Sequence, residues 1–397
     1  MRRMTLRSQP DRGAVALLVA IMFGSLTLLG CAALTVDVGT MSLERRQLQN
    51  GADAAASSAV IDCATTTACP NVTNPADPKM ARLRGLANGN AADGATSVTR
   101  IDGEPPVCGA GKPELTPCAA VAGNQLRDCP AAAAPPTQFV RVYTQTSRPG
   151  GGNTLLPSAF AEAITGSAAG TRHQVCAAYA WGAPATFAIS SPLAISLCDY
   201  QAMITTSGYA DPPPYANPIP SSVSAHEVAV VVNDPSQSTD SNGCAHWAGH
   251  VLPGGFGYLD PDAGCNVTVS AGDWVHGKPG NSVPASCKPS LDPIFAAPVN
   301  NRPVLLVPVF DCVSDHTKVC PTPTTGADTW YHVLGLAAFY VTGSNIPSYS
   351  FAPVRASTTC AAGKKCLYGW FTEAILRNTT AIGPGPGFGV NVIRAVG

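Results

Sequence analysis

Residues 12–61, RGAVALLVAIMFGSLTLLGCAALTVDVGTMSLERRQLQNGADAAASSAVI, contain the segment that decides the fold. The 24 residues from 13 to 36 include no charged side chain. At a rise of about 1.5 Å per residue, a helix of this length crosses a hydrocarbon core roughly 30 Å thick. We therefore predict a transmembrane helix over residues 13–36.

The charges on the two sides of this helix predict its direction. Four arginines and one acid, Asp11, precede it, whereas the acids Asp37 and Glu44 follow it. Short flanks rich in Lys and Arg stay on the cytoplasmic side of a membrane. The sequence predicts a single-pass protein of the cell membrane, with a cytoplasmic tail of residues 1–12 and an extracytoplasmic C-terminal domain.

Beyond residue 36 the apolar residues recur at spacings of three, four and seven, which is typical of one face of a helix. The helix seam consists of Leu34, Val38, Met41, Leu48 and Ala52. We predict that the transmembrane helix continues outward as an amphipathic helix, and that the seam packs against helices of other proteins.

The stretch from Arg12 to the alanines at 54–56 resembles the N-terminal segment of TadE/TadG-like proteins of the tight-adherence (Flp) pilus assembly system. The resemblance is to the TadG-related branch of high-GC Gram-positive bacteria. It implies a non-catalytic envelope protein that acts as a pseudopilin-like or structural assembly component. The implied partners are the membrane and other pilus-assembly or pilin-like proteins, and no cofactor is implied.

Processing of this segment has three alternatives. TadE-type members carry a glutamate five residues after the glycine at which prepilin peptidase cleaves, but here Leu18 follows Gly13 at that distance. We therefore predict a retained anchor. A basic start followed by an apolar run also fits a cleavable signal peptide, and LLGC at residues 28–31 resembles a lipoprotein box that ends in an acylated Cys31.

Composition narrows the class of protein. A chain of 397 residues is long enough for two or three domains plus an anchor. Charged residues make up 12%, about half the usual share, while Gly and Pro number 38 and 36, which indicates many turns. The net charge is −1 and no basic patch follows the anchor, so nucleic acid is not an expected partner.

Cysteines indicate an oxidising compartment. Of 15 cysteines, one lies in the anchor and the other 14 lie on the predicted extracytoplasmic side, where disulfides persist. The short loops between cysteines suggest the pairs Cys63 with Cys69, Cys244 with Cys265, Cys312 with Cys320, and Cys360 with Cys366. The sequence leaves open the pairing among Cys108, Cys118, Cys129, Cys176, Cys198 and Cys287.

The predicted fold class is a membrane-anchored α+β protein. Residues 37–183 form the first domain, with helices at 80–88 and 157–164 and strands at 138–146 and 173–181. Their order resembles the small α/β ectodomain of TadE/G-type proteins, in which a sheet packs on the outer half of the long helix.

Residues 184–397 are predicted to form a mainly β, Cys-rich domain. Strands are expected at 186–189, 193–197, 227–232, 304–310, 331–342 and 366–371. Pro308 predicts an edge or bulged strand, and the Pro-rich linkers 208–222 and 276–303 predict an absence of helix. The GPGPG run at 383–387 predicts a flexible or extended tail.

Two possible metal sites and one histidine in the second domain have simpler structural explanations. The strand at 228–232 followed by D-x-S-x-S at 234–238 fits a magnesium loop, but a polar turn explains the same residues. Cys244, His246, His250 and Cys265 are zinc-type ligands, although a disulfide between the two cysteines is the expected outcome. His332 is expected to be a half-buried strand residue.

No catalytic motif is recognised in the sequence, so we predict neither a catalytic nor a metal site. The alternative to pilus assembly is a surface adhesin, a binding module for glycan or host protein on the same anchor. An extracellular hydrolase is the third class and has no motif in its favour.

Overall fold

A computed structural model describes residues 12–65, 68–74, 76–100, 103–119, 137–147, 172–189, 191, 193–232, 256–260, 265–277, 283, 285–320, 329–347, 349–360, 362–376 and 381–396. In these residues a long apolar helix precedes a mainly β body that contains disulfide bonds. This agrees with the predicted order of an N-terminal helix and a β-rich, disulfide-bonded body.

The helices are α1 (Arg12–Ala64), α2 (Pro78–Gly89), α3 (Leu197–Ser207), α4 (Ser221–Ser224) and α5 (Lys288–Ala296). The strands are β1 (Thr96–Ser97), β2 (Val107–Ala110), β3 (Phe139–Thr146), β4 (Gln174–Gly182), β5 (Thr186–Ile189), β6 (Leu193–Ser196), β7 (Val228–Val231), β8 (Phe256–Tyr258), β9 (Val267–Ser270), β10 (Trp274–His276), β11 (Leu305–Ser314), β12 (Trp330–Ile346), β13 (Tyr349–Phe351), β14 (Cys366–Thr372), β15 (Ala374–Leu376) and β16 (Val390–Ala395).

Helix α1 continues without interruption for 53 residues, as the apolar run and the seam spacing predict. Helix α2 begins at Asp77, whose side chain accepts a hydrogen bond from the Lys79 N–H. Its apolar face, Met80, Leu83 and Ala87, is buried in the same core as the outer half of α1. The two helices therefore share one hydrophobic core.

The first sheet packs on α1 and has the strand order β1-β3-β4-β16-β15, with β2 paired to β3. In it β16 is antiparallel to β4, and Ile393 lies opposite Trp181. The end of the chain therefore returns to the first sheet. The predicted boundary at residue 183 does not separate the two sheets, because β15 and β16 belong to the 184–397 segment.

The second sheet has the order β7-β14-β12-β11-β6-β8, with β10 and β13 also paired to β12. Strand β12 is 17 residues long and connects most of this sheet. One face of the sheet buries Phe339 and Phe371 with Leu291 of α5. Strands β5 and β9 pair separately as a two-stranded ribbon.

Two proline-based predictions for this region need correction. Strand β11, which contains Pro308, lies between β12 and β6, so of the two predicted alternatives the edge position is wrong, while register shifts at Val309/Phe310 and Phe310/Cys312 agree with a bulged strand. Strand β6 pairs with β11 only at Val309 and Phe310, which leaves Pro308 outside that ladder.

The sequence predicts no helix in the linker 276–303, but this linker contains α5. Proline occupies the first turn of α5, where no intrahelical N–H bond is lost, and Pro293 lies inside it. Burial of Leu291 and Phe295 offsets the cost of the inner proline. The helix predicted at 157–164 lies outside the described residues.

A buried carboxylate joins the second sheet to the loop that follows β13. Glu227 is 5% exposed and accepts hydrogen bonds from Thr342 Oγ1 and from the N–H groups of Val354 and Arg355, the last two at 3.0 and 2.7 Å. A buried carboxylate is tolerated only when donors replace its water. Glu227 therefore fixes this loop to the sheet.

Candidate functional site

The outer half of α1 is buried in the chain's own core. Leu48 is 1% exposed and Ala52 is 0% exposed. The other buried residues of this half are Ala55, Ala56, Ala59, Val60 and Cys63. They pack against residues of β3 and β4, and the many alanines let the helix lie close to the sheet.

Side chains from the sheet region complete the C-terminal end of α1. Asn391 Nδ2 donates to the Ala64 carbonyl at 2.6 Å, and Lys112 Nζ donates to the Thr65 carbonyl at 3.0 Å. The last carbonyls of a helix lack intrahelical donors, and a cation near them also interacts favourably with the helix dipole. The end of α1 is therefore held by two distant parts of the chain.

Most of the described side chains in the inner half of α1 are exposed. Leu17 is 64% exposed and Phe23 is 72% exposed, and both are apolar. Within the described residues, α1 is the one helix whose length and composition suffice to cross a membrane. An exposed apolar helix near the N-terminus fits a single-pass membrane anchor.

The helix seam changes from exposed to buried between the inner and the outer half of α1. Leu34 and Val38 are 64% and 53% exposed, Met41 is partly exposed, and Leu48 and Ala52 are buried against the first sheet. Their spacing places all five on one helical face. The protein's own body thus covers the outer part of this face and leaves the inner part open.

The imidazole of His173, the residue before β4, lies near Arg45 of α1. Burial, and after it the positive charge of Arg45, lowers the pKa of His173. Its Nε2 atom is buried and has no hydrogen-bond partner within the described residues. Both observations favour a neutral imidazole at this position.

Residues 13–62 match the TadE/G-like family of Flp pilus-assembly proteins. The matched segment lies entirely within α1, and it includes both the exposed inner half and the buried outer half. No curated protein and no solved structure matches the chain. The match supports the predicted family, while the high-GC Gram-positive branch stays a prediction.

The structure places most of the candidate cysteines in disulfide bonds. Three of the suggested pairs, Cys63–Cys69, Cys312–Cys320 and Cys360–Cys366, are bonded, with Cα atoms 4.6, 6.0 and 5.9 Å apart. Cys108 is bonded to Cys118, and Cys176 and Cys198 are also disulfide-bonded. Among the described cysteines Cys31 is a free, exposed thiol.

The suggested Cys244–Cys265 pair is wrong, because Cys265 is bonded to Cys287, with their Cα atoms 4.5 Å apart. Cys244 and Cys287 lie almost equally far from Cys265 along the chain, so sequence separation does not choose between them. Cys265 and Cys287 are both buried in the core of the second sheet, which brings them together. Cys244 lies outside the described residues. A bonded Cys265 supplies no thiolate for the zinc alternative.

The described residues provide no support for the magnesium or the zinc alternative. The D-x-S-x-S segment and the residues His246 and His250 lie outside the described parts of the chain. Within those parts, no group of three or more His, Cys, Asp and Glu side chains is arranged to hold a metal ion. His332 is a partly exposed residue of β12, and its Nδ1 lies 2.7 Å from an Asp311 oxygen.

Sequence reasoning missed a cleft of about 650 Å³ at the C-terminal end of α1. Trp181, Tyr209, Glu373 and the GPGPG run at 383–387 form its walls. This run is not a tail, since the Gly383 N–H donates to the Ala183 carbonyl at 2.8 Å. The alternating glycines of this run are the sequence signal for a close backbone approach. A Cβ at position 385 would lie 2.7 Å from a backbone oxygen, which is too close for any residue but glycine.

Proposed function

We propose that the chain is a non-catalytic envelope protein of a Tad/Flp-type pilus assembly system, in which it acts as a pseudopilin-like or structural assembly component. The observation that carries this proposal is the family match over residues 13–62, which coincides with the long helix. The match supports a Flp pilus-related envelope component, and the exposed apolar inner half of α1 supports membrane association.

The proposed topology follows from charge. The arginines before residue 13 remain in the cytoplasm, and the disulfide-bonded body lies outside, where the bonds are stable. The protein acts through contacts, and its partners are the membrane and other pilus-assembly or pilin-like proteins.

The open part of the helix seam is the proposed partner surface. Leu34 lies within the apolar run and Val38 just beyond it, and both are exposed. In a bilayer, side-chain packing joins helices, and beyond the bilayer the burial of apolar area does so. Leu48 and Ala52 do not serve as an intermolecular surface in this proposal, because they are buried in the chain's own core.

The test compares two exposed apolar residues beyond the membrane segment. Val38 lies on the seam and is 53% exposed, whereas Leu43 lies on the other side of the helix and is 55% exposed. Each position is replaced in turn by a photo-crosslinking amino acid in cells that make the pilus. Pilus-assembly proteins should be crosslinked from position 38 and not from position 43.

Charge substitutions provide the second half of the test. Val38→Glu should reduce co-purification of these proteins, while Leu43→Glu should leave it unchanged and serves as the matched control. Equal crosslinking from both positions, or unchanged co-purification of Val38→Glu, would contradict the proposal.

A surface adhesin on the same anchor is the second candidate function. It is favoured by a group of partly exposed aromatic and polar side chains on the second sheet, which lies far along the chain from the helix.

A further inference from the structure

A tripeptide pattern, Trp-x-His, occurs twice, as WVH in β10 and as WYH at the start of β12. These strands pair antiparallel, so that Trp274 lies opposite His332 and His276 lies opposite Trp330. Alternate residues of a strand point to one face, which places all four rings together. Tyr331, between them, is 3% exposed and points into the core on the other face.

The four rings form an ordered surface, here named the aromatic patch: Trp274, His276, Trp330 and His332. The Trp274 and His332 rings are 5.1 Å apart, and the His276 and Trp330 rings are also 5.1 Å apart. All four residues are partly exposed. By contrast, Trp370 of the same sheet is fully buried in the core.

Carboxylates orient both imidazoles of the patch. His332 Nδ1 lies 2.7 Å from an Asp311 oxygen, and His276 Nδ1 lies 3.4 Å from an Asp260 oxygen. A carboxylate at Nδ1 restrains the orientation of the imidazole ring. Both carboxylates are themselves partly exposed.

A disulfide-closed loop adds a cation to the patch. Lys318 Nζ lies 4.2 Å from the centre of the Trp330 ring. The loop is closed by the Cys312–Cys320 bond, and Ser314 Oγ accepts from the Val319 N–H at 2.9 Å. Lys318 has a φ of 56°, a conformation that a non-glycine residue adopts at a cost. The loop thus holds the ammonium group at the ring.

We infer that the aromatic patch binds a neutral polysaccharide. The apolar C–H face of a sugar ring packs on an indole, and its hydroxyl groups need planar donors and acceptors beside that ring. The patch offers both on one strand pair: Trp274 supplies an indole beside His332, and Trp330, over which Lys318 lies on one side, supplies a second beside His276. Diagonal cross-strand positions such as 274 and 330 lie about 7–8 Å apart, which one oligosaccharide can cover.

An acidic polymer and a metal ion are the two other ligands considered for the patch, and both fit it less well. Among the described residues, the carboxylates of Asp260 and Asp311 lie beside the patch together with the ammonium of Lys318, and the two carboxylates disfavour an acidic polymer. A metal ion would need further ligands, and no group of three metal-ligating side chains occurs in the described residues.

The experiment uses the full-length protein in detergent and affinity electrophoresis through gels that contain amylose, laminarin, mannan, soluble cellulose or arabinogalactan. Retardation by at least one neutral polymer, and none by polygalacturonate, is expected. Trp274→Ala and Trp330→Ala should each weaken binding by roughly tenfold. Leu86→Ala, an exposed apolar residue on α2, should leave retardation unchanged.

A measurement on the unaltered protein removes the dependence on variant folding. The retarding polysaccharide should protect Trp274 and Trp330 from oxidation by N-bromosuccinimide, with each residue quantified by mass spectrometry. Absence of retardation by every neutral polymer, retardation by polygalacturonate alone, or unprotected Trp274 and Trp330 would overturn the inference. These results leave the pilus proposal untouched, because that proposal is tested at residues 38 and 43.

Discussion

Replacing Leu48 with Ala should loosen the first sheet from α1. Leu48 is 1% exposed, and Thr144 Oγ1 of β3 donates to its carbonyl at 3.0 Å. Truncation of a buried Leu costs about 2–5 kcal/mol, depending on how far neighbours fill the space. Here Ala52 and other alanines on α1 have no side-chain length with which to do so. We therefore expect the upper part of that range.

The assay is hydrogen exchange of the full-length protein in detergent, followed by mass spectrometry of peptides from β3 and β4. A loss in the upper part of that range, about 4–5 kcal/mol, raises exchange through local opening by roughly 900- to 5,000-fold. Leu43→Ala is the matched control, because Leu43 is on the same helix and 55% exposed. Its effect should stay within about 0.5 kcal/mol.

Equal exchange in the Leu48→Ala and Leu43→Ala proteins would refute the reasoning, because it would mean that the outer half of α1 is not packed on the sheet. Faster exchange confined to β12 and β14, with β3 and β4 unchanged, would refute it as well, since Leu48 belongs to the core between α1 and the first sheet.

Three further predictions concern the body of the protein. Glu227→Ala should lower the free energy of unfolding by about 2–4 kcal/mol, measured in urea, because the buried Thr342 hydroxyl and two partly buried N–H groups lose their acceptor, and Glu227→Gln should cost less. The pKa of His173 lies below its ordinary value of 6.5, so the unfolded chain binds the proton first, and stability should fall as the pH drops below 6.5. In His173→Gln this dependence should be weaker when urea midpoints at pH of about 7.5 and about 5.5 are compared. Removing both Cys265 and Cys287 should cost about 3 kcal/mol of unfolding free energy, and non-reduced peptide mapping should recover this pair and no Cys244–Cys265 peptide.

Local patterns in the sequence sufficed for the long helix and for many strands. A continuous apolar run followed by apolar residues at helical spacing predicts α1, and both signals lie within one segment. Strand β5 coincides with the predicted 186–189, and β14 begins at the predicted Cys366. These elements depend on periodicity, which is a property of neighbouring residues.

The remaining errors concern long-range contacts. Nothing local to residues 390–395 indicates that they pair with β4, and nothing near Cys265 indicates Cys287 as its partner. The helix seam shows the same limit, because spacing places Leu34 and Leu48 on one face but does not reveal which of them the body covers. The two Trp-x-His tripeptides are local, yet only strand pairing brings them together.

The path of the chain connects the membrane helix to the aromatic patch. Strand β14 of the second sheet ends at Thr372, and β15 of the first sheet begins at Ala374, so a single residue joins the two sheets. Residues 383–387 form the glycine-rich wall of the cleft, β16 follows them beside β4 and β15, and Asn391 of β16 donates a hydrogen bond to the end of α1. Force on a ligand at β10 and β12 would therefore pass through backbone and strand pairing to the anchor. The proposed polysaccharide site and the proposed membrane anchor are thus joined through one folded body.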